Sequence, residues 1–520
     1  MQFNKIKLHS LVLCGKAESQ ITLDDDYNVP DYRPDIVKVL KEKGELHFDE
    51  VKAAAGAAWL KGRLVFKILY RSDQENGKIS CLRGEIPFQE KINMDGLQEF
   101  DPVTAAGEIE DLTIGVIHSR KISVRAVILL QVEEQKEKEE ELCAGVEDLN
   151  ECEQKYRMTK VTQLVGMKHD ICRQKSEIAL PSSKPNVQEI LWKSLELRNL
   201  NTRLDTEGVK LGGEVLICVL YREEEENDRL QWYETMLPLD CGVDSDILQG
   251  ENIIYKIKAK PMSMELEVKP DYDGEERVLV VELAINVDIR AWREEEVQIL
   301  EDTYSLQKDI IPVRTPAKIE RIAVKNDSQC RLSERMEIPQ SQEKILQICS
   351  CEGTVHLEKK EMTAKGVKAE GILVAELLYI TTDDKMPVAA VREIYPFEQL
   401  IEIPNVPENL NMELESRLSQ MSAVMLDQDH VEIKAVIDLD LLAFGEETIQ
   451  NITELKEEPL DMEWLQSRPG LIGYVVKAGD SLWTIARENH TTVDEIKKNN
   501  NLSSDTINRG QKLLIVKKVS

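Results

Sequence analysis

The chain repeats itself, and that constrains its fold more than any other feature. Gly62-Arg-Leu-Val-Phe-Lys-Ile-Leu-Tyr70, Gly213-Glu-Val-Leu-Ile-Cys-Val-Leu-Tyr221 and Gly371-Ile-Leu-Val-Ala-Glu-Leu-Leu-Tyr379 share one frame, with 8 positions from glycine to tyrosine. A proline precedes each glycine by 32 residues (Pro30, Pro181, Pro339), and another follows each tyrosine by 17 (Pro87, Pro238, Pro396). Registers held without a gap over 57 residues mean one structural unit used three times.

Each unit has the same physical grammar. Counting in twos from the glycine, one face carries Leu64, Phe66, Ile68 and Tyr70 in the first unit, Val215 to Tyr221 in the second and Leu373 to Tyr379 in the third. The other face is mixed. Period two with β-branched residues predicts a half-buried strand. The glycine at its start is expected at a bulge or a close approach, and the tyrosine in the core with its hydroxyl at the rim. In the third unit Gly366 supplies the freedom of a tight hairpin. Further alternating runs close each unit at Ile122–Val132, Val278–Ile289 and Val431–Leu442. Helical periodicity is weak.

The expected fold is mainly β: three tandem antiparallel, sandwich-like repeat domains at 8–135, 161–292 and 319–445. Acidic runs such as Glu133–Leu142 and Arg293–Glu296 read as solvated linkers, so 136–160, 293–318 and 446–471 are assigned as linkers. Pro459–Gly470 within the last reads as a linker with a docking segment, Trp464 packing on the third repeat or anchoring a partner.

Composition narrows the function. The 520 residues carry a formal charge of −30, which repels nucleic-acid phosphate and anionic lipid; no nucleic acid is expected as a partner. No apolar run reaches the roughly 18 residues of a transmembrane segment. The apolar stretch Leu11–Cys14 is too short for a signal peptide and is expected to be strand, leaving the protein in the compartment of its synthesis. The ten cysteines show no Cys-x-x-Cys and no paired framework, which fits a reducing cytosol. Seven scattered histidines offer no metal spacing, and neither a nucleophile elbow nor a phosphate loop is present. Asp24–Asp26 is better explained as an acidic turn than a cation site. No catalytic residue, metal or cofactor is expected.

The repeated unit, with its Pro30, Pro34 and Ile36 start and its glycine-to-tyrosine strand, resembles the SPOCS domain of endospore-forming bacteria. Residues 472–517 are similar to the LysM pattern nearly residue for residue: Tyr474-Val-Val476, Gly479-Asp-Ser-Leu482, Ile485-Ala486, Thr492-Val493, Asn501-Leu502, Ile507, and Gly510 through Ile515. A small α+β domain of order βααβ is the fold this implies, and the residues agree. Asp480 or Ser481 can cap a helix with Leu482, Ile485 and Ala486 on its apolar face, and a second helix starts at Thr492. The resemblance implies a groove for N-acetylglucosamine glycan between two loops, Gly479, Asp480, Ser481 and Leu482 against Asp505, Thr506, Ile507 and Asn508. Leu482 and Ile507 would shelter the N-acetyl methyl. The plainer reading is that Gly479, Asp480 and Leu482 serve turn and core. Arg509 stands where many members of the family have proline.

Three SPOCS-like domains followed by LysM resemble the SipL-like clostridial spore-coat morphogenetic family. That resemblance implies a non-enzymatic scaffold, made in the mother-cell cytoplasm and placed at the forespore surface and spore coat. It also implies partners: the coat-morphogenetic ATPase, stage IV sporulation protein A, and other coat proteins, held by multivalent contacts. The alternative is a peptidoglycan-binding, wall-associated protein anchored through LysM. An enzyme is the third and weakest reading.

Overall fold

A computed structural model describes residues 2–73, 78–147, 152–205, 208–224, 229–383, 385–404 and 410–517. The first repeat comprises β1 (Gln2–Asn28), β2 (Ile36–Ala54), β3 (Ala57–Ser72), β4 (Ile79–Asn93), β5 (Val103–His118) and β6 (Lys121–Glu147). They form two antiparallel three-stranded sheets, β1-β6-β5 and β2-β3-β4. The second repeat has the same order in β7 (Cys152–Ala179), β8 (Val187–Leu204), β9 (Gly208–Glu223), β10 (Leu230–Asp244), β11 (Ile253–Pro270) and β12 (Glu276–Ser305). So does the third, in β13 (Lys308–Glu337), β14 (Ile345–Thr363), β15 (Gly366–Thr381), β16 (Val388–Glu402), β17 (Leu410–Met425) and β18 (His430–Pro459). Three sandwich-like units follow one another.

The repeated residues explain the unit. The two sheets bury their facing sides, so Phe66 and Ile68 of β3 meet Ile122, Val124 and Ile128 of β6 in one core. Gly62 and Gly371 sit where a Cβ would overlap the carbonyl of His47 or His356 and press on the ring of Phe88 or Phe397. Register shifts at Phe48/Glu50 and Leu357/Lys359 lie across from them. The glycine is thus both a close approach and a bulge partner. Tyr70, Tyr221 and Tyr379 are fully buried. Each hydroxyl donates to a carbonyl of the preceding loop, Pro34 at 3.1 Å, Pro185 at 3.2 Å and Glu343 at 3.1 Å, fastening that loop to the central strand.

One difference sets the second repeat apart. Where β2 crosses β5, a Cβ on Gly44 would stand 2.8 Å from Ile109 Cδ1, and one on Gly353 would meet Leu418 at 2.7 Å. The matching residue of β8 is Leu195, so that edge cannot close in the same way. Cys172 of β7 and Cys241 of β10 are instead joined as a disulfide, with Cα atoms 6.2 Å apart. This corrects the expectation of no cysteine pairing. A separation of 69 residues carries no sequence signal for it.

The linkers expected at 136–160, 293–318 and 446–471 are also corrected: among the described residues β6 runs to Glu147, β7 starts at Cys152, β12 runs to Ser305, β13 starts at Lys308 and β18 runs to Pro459. β1, β6, β7, β12, β13 and β18 extend beyond their sandwiches as two-stranded ribbons, β1/β6, β7/β12 and β13/β18. The acidic run of β6 survives as strand because lysines face it: Lys5 pairs with Glu141 at 2.6 Å and Lys7 with Glu139 at 2.7 Å. Asp24–Asp26 likewise lies in β1, not in a turn, and Asp26 pairs with Lys121 at 2.6 Å.

The three ribbons pack around a common axis. Leu8 and Leu142, Val161 and Val297, and Ala317 and Ile449 share one buried cluster, with a member from every repeat. A second, Cys143, Leu300 and Ile452, lies farther along. Asn451 seals a ribbon edge, accepting from Cys143 N at 2.9 Å and donating to the Glu141 carbonyl at 2.8 Å. The other sheets meet too, and equivalent residues touch: Leu69, Leu220 and Leu378 are buried together. The body is therefore a single-chain assembly with pseudo-threefold order.

Candidate binding site

The ribbons end at a support for the C-terminal module. After β18 come α1 (Met462–Ser467), β19 (Leu471–Val475), α2 (Leu482–Glu488), α3 (Val493–Asn499) and β20 (Lys512–Val516). β19 and β20 pair antiparallel, which gives the expected βααβ order. Ser481 caps α2 in a reciprocal capping box with Thr484, and Thr492 caps α3. The apolar face, Leu482, Ile485, Ala486 and Ile496, closes on Leu513 and Ile515. The side chain of Trp464 lies outside the described residues.

The two loops come together at one point. Val476 donates to the Gln511 carbonyl at 2.9 Å and accepts from Gly510 N at 2.8 Å, so the first loop begins where the second ends. Gly479 (φ 90°) and Gly510 (φ 82°) adopt conformations that favour glycine. Asp480 accepts from Lys477 N at 2.7 Å and from the Tyr474 hydroxyl at 2.8 Å. These bonds hold its carboxyl below the usual range. Leu482 is 2% exposed and belongs to the core, with Ile507 half-buried against the same cluster. Asp505 pairs with Lys497 at 2.7 Å, and Asn508 N donates to Gln511 Oε1 at 2.9 Å. Of these two loops Gly479, Asp505, Thr506 and Asn508 are exposed, while Asp480 and Ser481 shape the turn.

The module is mounted on the body through side chains of β12. Trp483 Nε1 donates to Asp302 Oδ2 at 2.8 Å, and Arg487 reaches the same oxygen at 3.0 Å. The Trp483 ring meets Tyr304 edge-on at 4.8 Å. Tyr304 donates its hydroxyl to the Thr491 carbonyl at 2.9 Å, and His490 Nε2 lies 2.8 Å from the Leu306 carbonyl. Burial depresses the imidazole's pKa. The module is thus latched by α2 and the turn after it to the tip of β12. Trp483, Arg487, His490 and Thr491 lie within the LysM-like stretch, whereas Asp302 and Tyr304 fell in a presumed linker.

Comparison with known proteins agrees with this architecture. Residues 35–117 and 344–426, in the first and third repeats, match the family described as SipL, SPOCS domain, and residues 474–516 match the LysM domain. Proteins described as probable endopeptidase p60 from Listeria welshimeri and Listeria monocytogenes are each 56% identical over 46 residues, 9% of this chain. The match spans only about a tenth of those relatives' own length. No solved structure matches. Both matched families are non-catalytic binding domains. No helix among the described residues is long and apolar enough to cross a membrane. The chain thus matches a SipL-like, sporulation-related protein in carrying SPOCS domains in its first and third repeats and a C-terminal LysM domain, a module of the peptidoglycan-binding kind.

Proposed function

We propose that this protein is a non-enzymatic scaffold of the spore envelope. It localises coat proteins around the forespore by binding the coat-morphogenetic ATPase, stage IV sporulation protein A, from the mother-cell side. The observation that carries the reading is the pairing of SPOCS repeats with a LysM module latched to the body through Trp483, Arg487 and Tyr304. A latched module loses less freedom on binding than a tethered one. Three related repeats beside it offer the several contacts that multivalent recruitment uses. The groove residues Gly479, Asp480, Ser481, Leu482, Asp505, Thr506, Ile507 and Asn508 belong to the module's contact face, Leu482 and Asp480 by shaping it and Thr506 and Asn508 by touching.

The identity to the endopeptidase LysM segments favours a second reading, in which the same groove holds N-acetylglucosamine glycan. A fluorescent fusion in a sporulating cell tests the leading reading. Signal is expected as a shell around the forespore, lost when the ATPase is removed. Signal spread along the lateral wall would contradict it and support the glycan reading.

A further inference from the structure

Where the repeats meet, the fold makes the same junction three times, and the three have diverged in charge. Registered pairs on neighbouring strands mark the position: Lys67 with Arg83, Cys218 with Glu234, Glu376 with Arg392. The strand of the next repeat brings Lys193 beside the first pair and Glu42 beside the third, and the residue at the matching sequence position for the second is Cys351. The first junction therefore gathers cations only, the second a carboxylate and two thiols, the third two carboxylates and a guanidinium. The backbone arrangement does not demand cations there.

A cleft of about 250 Å³ opens between the first and second repeats. Arg33, Lys67, Arg83 and Lys193 line it, with no carboxylate among the lining residues, on a chain whose formal charge is −30. Its floor is apolar, including Ile68, Leu191 and Trp192, all buried. Arg33 is engaged by Glu189 at 2.7 Å and Lys67 stands 3.6 Å from Glu45. Arg83 has no ion pair among the described residues. Lys193 donates to the Leu266 carbonyl at 3.0 Å. Burial, then Lys67, lowers its pKa, while Glu265 and Glu267 work against them. Like charges held over a buried apolar floor are stabilised by an anion with an apolar body.

We propose that this cleft binds an organic anion, a carboxylate on a small aromatic or aliphatic stem. The site is independent of the LysM groove, and its ligand is either a free acid or the acidic side chain of a partner segment.

Benzoate is the probe, titrated into the full chain at low ionic strength while the Trp192 indole resonance is followed. A saturable shift is expected for benzoate and none for benzylamine. Arg83→Glu, at an exposed position, is expected to weaken benzoate at least tenfold with unchanged thermal unfolding, and Arg83→Gln to weaken it less. N-acetyl-phenylalanyl-aspartate amide separates the sources: tighter binding than benzoate points to a partner segment, weaker binding to a free acid. A response that never saturates, or equal affinity in wild type and Arg83→Glu, overturns the proposal.

Discussion

Replacing Glu352 by Gln is expected to cost about 3 kcal/mol of stability, the low end for a buried ion pair broken on one side. Glu352 lies where all three repeats meet. Its carboxylate is 3.3 Å from Lys41 and 2.6 Å from Lys43, and accepts from Trp192 Nε1 at 3.2 Å. Lys41 has a side chain only 2% exposed and also reaches Glu376, at 2.8 Å. Repeat one thus supplies the cations, repeat three the anions and repeat two the indole. Equivalent positions have become complementary, which fixes the order of the repeats. Lys41→Met alone should be similarly damaging. The double variant Lys41→Met, Glu352→Gln should cost less than the two separate losses added, since neither charge is left facing the other's gap. Additive losses in denaturant unfolding would show that the pair is not coupled.

The same junction makes a pH prediction with two signs. Burial works against ionising Glu352, but Lys41 and Lys43 outweigh it and hold the carboxyl well below its ordinary 4.5. A depressed carboxylate contributes stability above its unfolded pKa and loses it as pH falls below that value. Glu42 lies on the same strand in the cleft between repeats one and three; burial, then Glu376, pushes it up to about 7. Its contribution is full below 4.5 and disappears as pH rises through about 7. Glu42→Gln should therefore stabilise the protein at pH 8 while Glu352→Gln destabilises it. Equal signs at pH 8 would contradict this account of the junction.

Tyr304→Ala is expected to release the LysM module from the body. Tyr304 is 5% exposed, packs against Trp483 and donates to Thr491, so truncation removes an aromatic anchor at the centre of a small interface. Such anchors are typically worth about 2 kcal/mol or more. Asp302→Asn should loosen the latch less, because it removes the charge facing Arg487 but keeps an acceptor for Trp483. Backbone ¹⁵N relaxation reads the result: the module tumbles with the whole chain in wild type and several-fold faster in Tyr304→Ala. Unchanged relaxation would show that the latch does not hold it.

What could be read from the sequence, and what could not, follows from the range of the interactions. Strand periodicity and the glycine-to-tyrosine frame report contacts within one sandwich, so the β3, β9 and β15 strands and the buried tyrosines were legible. The LysM helices were legible because their caps, Ser481 and Thr492, are local. The ribbons were not. The run Glu133–Leu142 shows no apolar alternation, because its solvent face is neutralised by lysines more than 120 residues away, such as Lys5 and Lys7. The axis that the ribbons enclose shows only as scattered apolar residues such as Leu142 and Ile449. At the candidate site, the motif leaves Leu482 open as groove wall or as core, and the structure places it in the core; a motif position does not say whether packing or contact holds it. Leu482→Asp is accordingly a folding variant, and Thr506 and Asn508 are the residues to vary.

The most direct test of the scaffold reading is the affinity of the full chain for purified stage IV sporulation protein A, measured beside its affinity for peptidoglycan sacculi. Wild type and a Thr506→Asp, Asn508→Asp variant with intact thermal unfolding would be compared. The account predicts saturable binding to the ATPase that the variant weakens, with little retention on sacculi. Groove-dependent binding to sacculi together with no binding to the ATPase would contradict it.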